Sequence, residues 1–142
     1  MARLHGEYHH KLDAKGRLSL PAAFRKALTS GNLIVTQSPW DDCLYVFEAQ
    51  QFDVWVESLF EKEGGFNASS RKHVAMRKAL NARAKDVEVD ASGRIGISAD
   101  QRQVVSLDKE VVIIGDSDHF EIWDTQLWED FYTNIDLASL FD

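Results

Sequence analysis

Asp13-Ala14-Lys15-Gly16-Arg17-Leu18-Ser19-Leu20-Pro21-Ala22-Ala23-Phe24-Arg25 has a degenerate second copy 77 positions later. That copy is Asp90-Ala91-Ser92-Gly93-Arg94-Ile95-Gly96-Ile97-Ser98-Ala99-Asp100-Gln101-Arg102. A repeat of this length means that one structural unit is used twice. Within the unit, Asp13 and Asp90 suit the first position of a type I turn, because a carboxylate there accepts from the turn's backbone amides. Gly16 and Gly93 take the positive φ that closes such a turn. The residues that follow alternate in polarity, so Leu18 and Leu20 share one strand face while Arg17 and Ser19 share the other. Tyr8–Leu12 and Arg17–Leu20 are expected to pair as a hairpin with a glycine bulge, leaving Arg17 beside the turn and facing away from the core.

Outward from this unit the likeness continues. Pro21 suits the first position of a helix over Ala22–Leu28, closed near Gly31. Ser98-Ala99-Asp100-Gln101 matches a capping box at the equivalent place. Leu33–Thr36 corresponds to Val111–Ile114 at an offset of 78, and Leu44–Glu48 to Phe120–Asp124 at an offset of 76. Each half therefore reads strand, turn, strand, short helix, two strands, amphipathic helix. Phe52, Trp55, Phe60, Trp123, Trp128 and Phe131 recur near helical spacing and are expected in the core. Gly64-Gly65-Phe66-Asn67 breaks the chain. Ser69 or Ser70 then caps a helix over about 71–83, whose Arg71, Lys72, Arg77, Lys78 and Arg83 read as a solvated face rather than a second basic surface. The expected organisation is a first repeat over 4–55, a helical connector over 56–85, a second repeat over 86–131 and an acidic tail over 132–142 with no assigned role. The fold class is α+β, mainly β. Neither half buries enough alone, so the two are expected to close into one barrel.

The 142 residues suit one small domain or two halves sharing a core, and 44% hydrophobic residues exclude a disordered chain. No apolar run is long enough to span a bilayer, the opening residues lack an apolar signal region, and the single cysteine, Cys43, fits a reducing compartment. A cytoplasmic protein is expected. The net charge of −7 argues at first against a polyanionic partner, but its distribution does not. Residues 1–26 hold Arg3, Lys11, Lys15, Arg17, Arg25 and Lys26 against only Glu7 and Asp13. Local potential attracts a polyanion and total charge does not, so this segment is the candidate contact surface.

The two Asp-x-x-Gly-Arg units, the stretch Leu12 to Arg25 and the run Phe120-Glu121-Ile122-Trp123-Asp124 together resemble the bacterial MraZ family, within the larger group of AbrB-like transcription factors. The resemblance covers about Leu4 to Phe131. It implies two tandem AbrB-like repeats with swapped hairpins, forming a double-split β-barrel with flanking amphipathic helices. It also implies a homo-oligomeric ring, an octamer or dodecamer, that binds short direct repeats in double-stranded DNA. The implied targets lie upstream of the division and cell-wall gene cluster, including the chain's own gene, with repression the main outcome. Association with the nucleoid and no cofactor are implied as well. The first motif's arginine, the family's main DNA contact, falls on Arg17, with Lys15 beside it. The chain departs from the family's Met-Phe-x-Gly opening, having Leu4-His5-Gly6 after an extra Ala2-Arg3. It also has Gly96 where a larger strand residue is common, which suggests a bulge or a close backbone approach.

On this reading Arg17 reaches a base edge, and Lys15, Lys11 and Arg3 meet phosphates. The turn-forming residues are Asp13, Gly16, Asp90 and Gly93. In the second unit Lys15 becomes Ser92 and the surroundings turn acidic, so Arg94 and Arg102, like Arg25, are expected in structural ion pairs. The alternative is a protein-binding assembly module with no DNA function, which the acidic bulk and the aromatic-rich helices would also suit. An enzyme or metal protein is not expected. Adjacent His9 and His10 point to opposite strand faces and cannot easily join His5 on one ion. Cys43 has no neighbouring base and is expected to pack as a small apolar residue. No small-molecule substrate and no membrane partner are expected.

Overall fold

The computed structural model describes residues 3–141. Met1, Ala2 and Asp142, which belong to the opening and the tail of the sequence reading, lie outside the described residues. The first half runs β1 (Leu4–Lys11), β2 (Arg17–Ser19), α1 (Ala22–Ala27), β3 (Asn32–Gln37), β4 (Leu44–Glu48) and α2 (Ala49–Ser58). A connector helix α3 (Arg71–Ala82) follows. The second half runs β5 (Lys85–Glu88), β6 (Arg94–Gly96), α4 (Ala99–Val104), β7 (Glu110–Ser117), β8 (His119–Asp124) and α5 (Thr125–Thr133). The two halves thus share one order of elements, and the fold is α+β with mainly antiparallel sheet. Among the described residues no helix is long and apolar enough to cross a membrane.

The pairing differs from the expected hairpin. β1 pairs with β7 and β2 pairs with β6, so each strand of the first motif finds its partner in the second half. The turn between β1 and β2 forms as expected, with the Asp13 N–H donating to the Arg17 carbonyl at 3.0 Å. It works as a corner. Leu12 continues along the other half, donating to the Lys109 carbonyl, and the three residues of β2 then leave in a new direction. Strand pattern specifies which residues face inward but not which strand lies alongside.

Six strands form one sheet in the order β1-β7-β8-β4-β3-β5, and β2-β6 form a separate ladder. Exchanging each strand for its counterpart in the other half turns the six-strand order into its own reverse. The expected closure into a barrel does not occur as a continuous ladder, because β1 and β5 remain the free edges of the sheet. The ladder β2-β6 lies apart, and the core between the two groups is held by side chains.

β4 shows how the sheet serves two cores. Leu44 and Val46 enter a cluster with Leu18, Leu20, Phe24, Ile95, Ile97 and Phe120, drawn from both halves. Tyr45 and Phe47, on the opposite face, join Phe52, Trp55, Val56, Phe60, Leu80 and Trp123. Cys43 is fully buried there, packed as a small apolar residue, and burial pushes its thiol pKa up. Phe131 departs from the expectation of core packing. It is 40% exposed, and Trp128 is only half-buried, because α5 buries no residue completely. Its aromatics stack on one another, with Trp128 5.7 Å from Phe131 and 5.4 Å from Tyr132.

The helix starts agree with the sequence in place and differ in detail. Pro21 is the cap before α1 rather than its first turn, with φ −55° and ψ 140°. Its fixed φ fits both the extended cap and the helix, so Ala22 opens the helix. Ser98 caps α4 by accepting from the Gln101 N–H at 3.3 Å. Among the described residues no bond runs from the Gln101 side chain to the Ser98 amide: its Nε2 turns inward and donates to the Val35 carbonyl at 2.9 Å, while its Oε1 accepts from the Ser98 hydroxyl at 3.4 Å. The bond to Val35 crosses from the second half to the first. Ser70 caps α3, accepting from the His73 N–H.

Candidate nucleic-acid interface

Asp13 organises the first turn through three bonds. Its Oδ1 accepts from the backbone N–H groups of Lys15 (2.9 Å) and Arg17 (2.8 Å), and its Oδ2 accepts from Arg17 Nε (2.6 Å). The Arg17 amide, with lesser help from its guanidinium and the Lys15 amide, holds the Asp13 carboxyl below the usual carboxylate range. Asp90 repeats the pattern with Ser92 and Arg94 at 2.9, 2.9 and 3.0 Å. The ion pair expected for Arg94 is therefore present, and Arg17 has the same one. Arg17 does not stand free beside its turn. Its side chain keeps 37% exposure against 31% for Arg94, and Nε is the one nitrogen committed to Asp13. The cause is legible in both motifs, where Asp precedes Arg by four residues.

The glycines are fixed twice over. Gly16 has φ +75°, and a Cβ there would lie 2.7 Å from Arg102 Cζ and 2.9 Å from the Ile97 carbonyl oxygen. Gly93 has φ +77°, and a Cβ would lie 2.5 Å from Arg25 Nη1. Arg25 and Arg102 thus lie over each other's turns, one from each half. The ion pairs expected for them are absent among the described residues. These side chains extend along a turn whose own carboxylate is already engaged by its own arginine. Both glycines carry the same backbone strain if replaced, but at Gly16 a backbone atom, the Ile97 carbonyl oxygen, is among the nearest, whereas the three nearest at Gly93 all belong to the flexible Arg25 side chain. Gly16→Ala should lower stability by about 1–3 kcal/mol and by more than Gly93→Ala, read as thermal midpoints. Equal midpoints would contradict the steric argument.

Lys15 stands exposed at the tip of the first turn, and Lys11 is exposed at the adjoining end of β1. With Arg17 they form a group along the sequence, and Lys11 stands opposite Glu110 in the β1-β7 ladder. Arg3 is exposed but lies before the other end of β1, about 26 Å from Lys11 by strand rise, so the fold does not bring it into that group. Gly96 sits opposite Arg17 in the β2-β6 ladder in regular register, with open space around its Cα. It is neither a bulge nor a close approach, and it leaves room beside the guanidinium where Ser19 stands opposite Arg94. Two of the four basic residues of α3, and Arg83 at its C-cap, are engaged locally. Arg77 lies over the Phe66 ring at 3.5 Å, Lys72 pairs with Glu63, and Arg83 donates to the carbonyls of Gln37 and Ser38.

The family model described as "MraZ protein, putative antitoxin-like" matches residues 4–74 and 80–142. A protein of Mycolicibacterium smegmatis named transcriptional regulator MraZ is 41% identical over 126 residues, covering 89% of this chain and 84% of the relative. One of Mycobacterium avium with the same name is 43% identical over the same shares. One of Legionella pneumophila, also so named, is 37% identical over 121 residues, covering 83% of this chain and 77% of the relative. Two matching units, one order of elements in each half and relatives at this identity over most of their length place the chain in the MraZ family.

Proposed function

We propose that this chain is a sequence-specific DNA-binding transcriptional regulator. One observation carries the reading. Two turns of the same geometry differ at their exposed tips, Lys15 in one and Ser92 in the other, and the strand leading into the first carries exposed Lys11 where the strand leading into the second carries exposed Glu88. Arg17 reads a base edge. With Nε gripped by Asp13, its two terminal amino groups remain for a bidentate contact to guanine, and the grip lowers the entropy lost on binding. Lys15 and Lys11 contact phosphates beside it, and Arg3 contacts a separate phosphate further along. The relatives' name, transcriptional regulator MraZ, supports the same role.

The finer parts of the proposal concern assembly and target. The six-stranded sheet and the β2-β6 ladder, sharing one core, are read as a double-split barrel of two AbrB-like repeats, 4–55 facing DNA and 86–131 serving closure and subunit contact. Self-association into a ring is supported by the exposed apolar side chains of α5 and the segment after it, among them Tyr132, Leu137, Leu140 and Phe141. A ring presents several equivalent turns to DNA carrying several short direct repeats, so avidity accumulates. The regulated genes would be the division and cell-wall cluster with the chain's own gene, repressed in the main, on the cytoplasmic nucleoid.

Gel-shift with DNA upstream of the chain's own gene tests this. Retardation is expected at low salt, with affinity falling as a power of salt concentration by about 0.9 per phosphate contact. Lys15→Ser, which gives the first turn the tip of the second, should reduce that slope by about one per engaged subunit. No mobility change at low salt would favour the assembly-module alternative.

A further inference from the structure

The β7-β8 hairpin gathers donors of a different kind at the opposite end of the sheet from Lys15. Asp116 and His119 face each other across the ladder, and Glu121 follows two residues later on the same face of β8. His119 is buried against the rings of Tyr45 (4.4 Å) and Phe47 (5.0 Å). Its Nε2 lies 2.9 Å from Glu121 Oε2 and 3.8 Å from Asp116 Oδ2. Its Nδ1 lies 2.8 Å from Asp118 Oδ1. The other Glu121 oxygen, Oε1, already accepts from Trp123 Nε1 at 2.9 Å and from the Cys43 thiol at 3.8 Å. One atom from each of Asp116, His119 and Glu121 lies within 4.8 Å of the others.

We infer that Asp116, His119 and Glu121 form a binding site for a divalent cation of the zinc class. Three features argue for it together. The first is charge. Three carboxylates surround one imidazole, two of the four groups are buried, and no lysine or arginine pairs with any of them among the described residues. A proton on His119 would offset the buried Glu121 alone and leave the charges of Asp116 and Asp118, whose side chains are 60% and 34% exposed, at the mouth of the cluster to attract a cation. The second is geometry. Ligand atoms about 2.0–2.1 Å from a tetrahedral zinc stand about 3.3 Å apart, and the separations at Nε2 fall on either side of that value. The third is the support around the imidazole. Metal-bound histidines donate their other ring N–H to a carboxylate or carbonyl, which fixes the tautomer, and Asp118 occupies that position. Asp116, with a side chain 60% exposed, leaves an approach from solvent and room for water as a fourth ligand. Cys43 faces the other Glu121 oxygen, Oε1, and is not one of the three converging groups. The N-terminal pair His9 and His10 lies far along β1, opposite Val112 and Val111.

The test is calorimetric titration of Zn²⁺ into the full chain after chelator treatment, with thermal midpoints measured in parallel. One Zn²⁺ per chain is expected, with a midpoint that rises with metal concentration. His119→Ala should abolish this binding. Asp116→Asn, at an exposed position that should leave folding intact, should weaken it at least tenfold, and Asp118→Asn should weaken it about tenfold through the imidazole it orients. The double variant His9→Ala/His10→Ala should bind as the parent does. Absence of saturable binding, binding that survives Asp116→Asn unchanged, or binding lost in the His9/His10 variant would each overturn the assignment.

Discussion

Arg17→Ala should lower affinity for the chain's own promoter DNA by at least tenfold to a hundredfold, while Arg94→Ala should change it no more than a few-fold. The lower figure follows from one bidentate arginine–guanine contact, worth about 1–3 kcal/mol. Several subunits engaged at once multiply the loss. The comparison has force because the two arginines are structural equivalents. Each is held at Nε by the aspartate four residues earlier, each follows a glycine with φ between +75° and +77°, and their exposures differ little. Any loosening of a turn caused by removing its arginine is common to both variants. A difference in DNA binding therefore assigns the DNA-facing role to the first turn rather than the second. Arg17→Lys adds a second discrimination, since it keeps the charge and loses the planar fork. It should retain non-specific binding and lose most of the preference for the operator. Fluorescence anisotropy on operator and scrambled duplexes, with size-exclusion of each variant, would measure this. If Arg94→Ala fell as far as Arg17→Ala, the two turns would be equal partners in whatever they do, and Arg17 would lose its special role.

The features legible in the sequence were those set by near neighbours. An aspartate and a glycine three residues apart specify the corner at 13–16 and again at 90–93. Ser98 and Ser70 specify helix starts, and alternation assigns Leu18 and Leu20 to the interior. What a strand lies against was not legible. The partner of β1 is β7, more than a hundred residues away, and nothing in Tyr8–Leu12 distinguishes that partner from the adjacent Arg17–Leu20. The same limit hid the crossing of Arg25 and Arg102 over each other's turns, where an ion pair was the local expectation. It also scattered the basic residues, since Arg3 and Lys11 are neighbours in charge but stand at opposite ends of one strand. The Asp13–Arg17 pair was open to reading, because the same spacing occurs in both copies. Asp116, His119 and Glu121 lie within six residues, but their spacing alone does not show that they converge. Burial of His119 and Glu121 depends on Tyr45 and Phe47 of the other half, and their convergence appears only once that packing exists.

Phe24→Ala should destabilise the whole chain by about 3–5 kcal/mol, the cost of emptying a large aromatic site that its neighbours cannot fill. Phe24 is 1% exposed on the short helix α1 and lies between Tyr8 of β1, at 5.2 Å, and Phe120 of β8, at 5.3 Å. It therefore bridges the first half to the second. A small domain is typically stable by about 5–15 kcal/mol, so the variant should lie close to the unfolding threshold, whereas Tyr132→Ala at an exposed site should shift stability by about 0.5 kcal/mol or less. The character of the transition is the sharper part of the prediction. Among the described residues β1 pairs only with β7 and β5 only with β3, and the cluster around Phe24 takes Leu12, Leu18 and Leu20 from one half and Ile95, Ile97 and Val111 from the other. Neither half can open without exposing the interior of its partner. Urea unfolding followed by far-ultraviolet dichroism and by tryptophan fluorescence should give coincident single transitions for the parent and for Phe24→Ala, with the variant's midpoint lowered and its slope unchanged. Two transitions, with the second half surviving the loss of Phe24, would mean that the repeats hold separate cores and that the exchange of strands between them contributes little to stability.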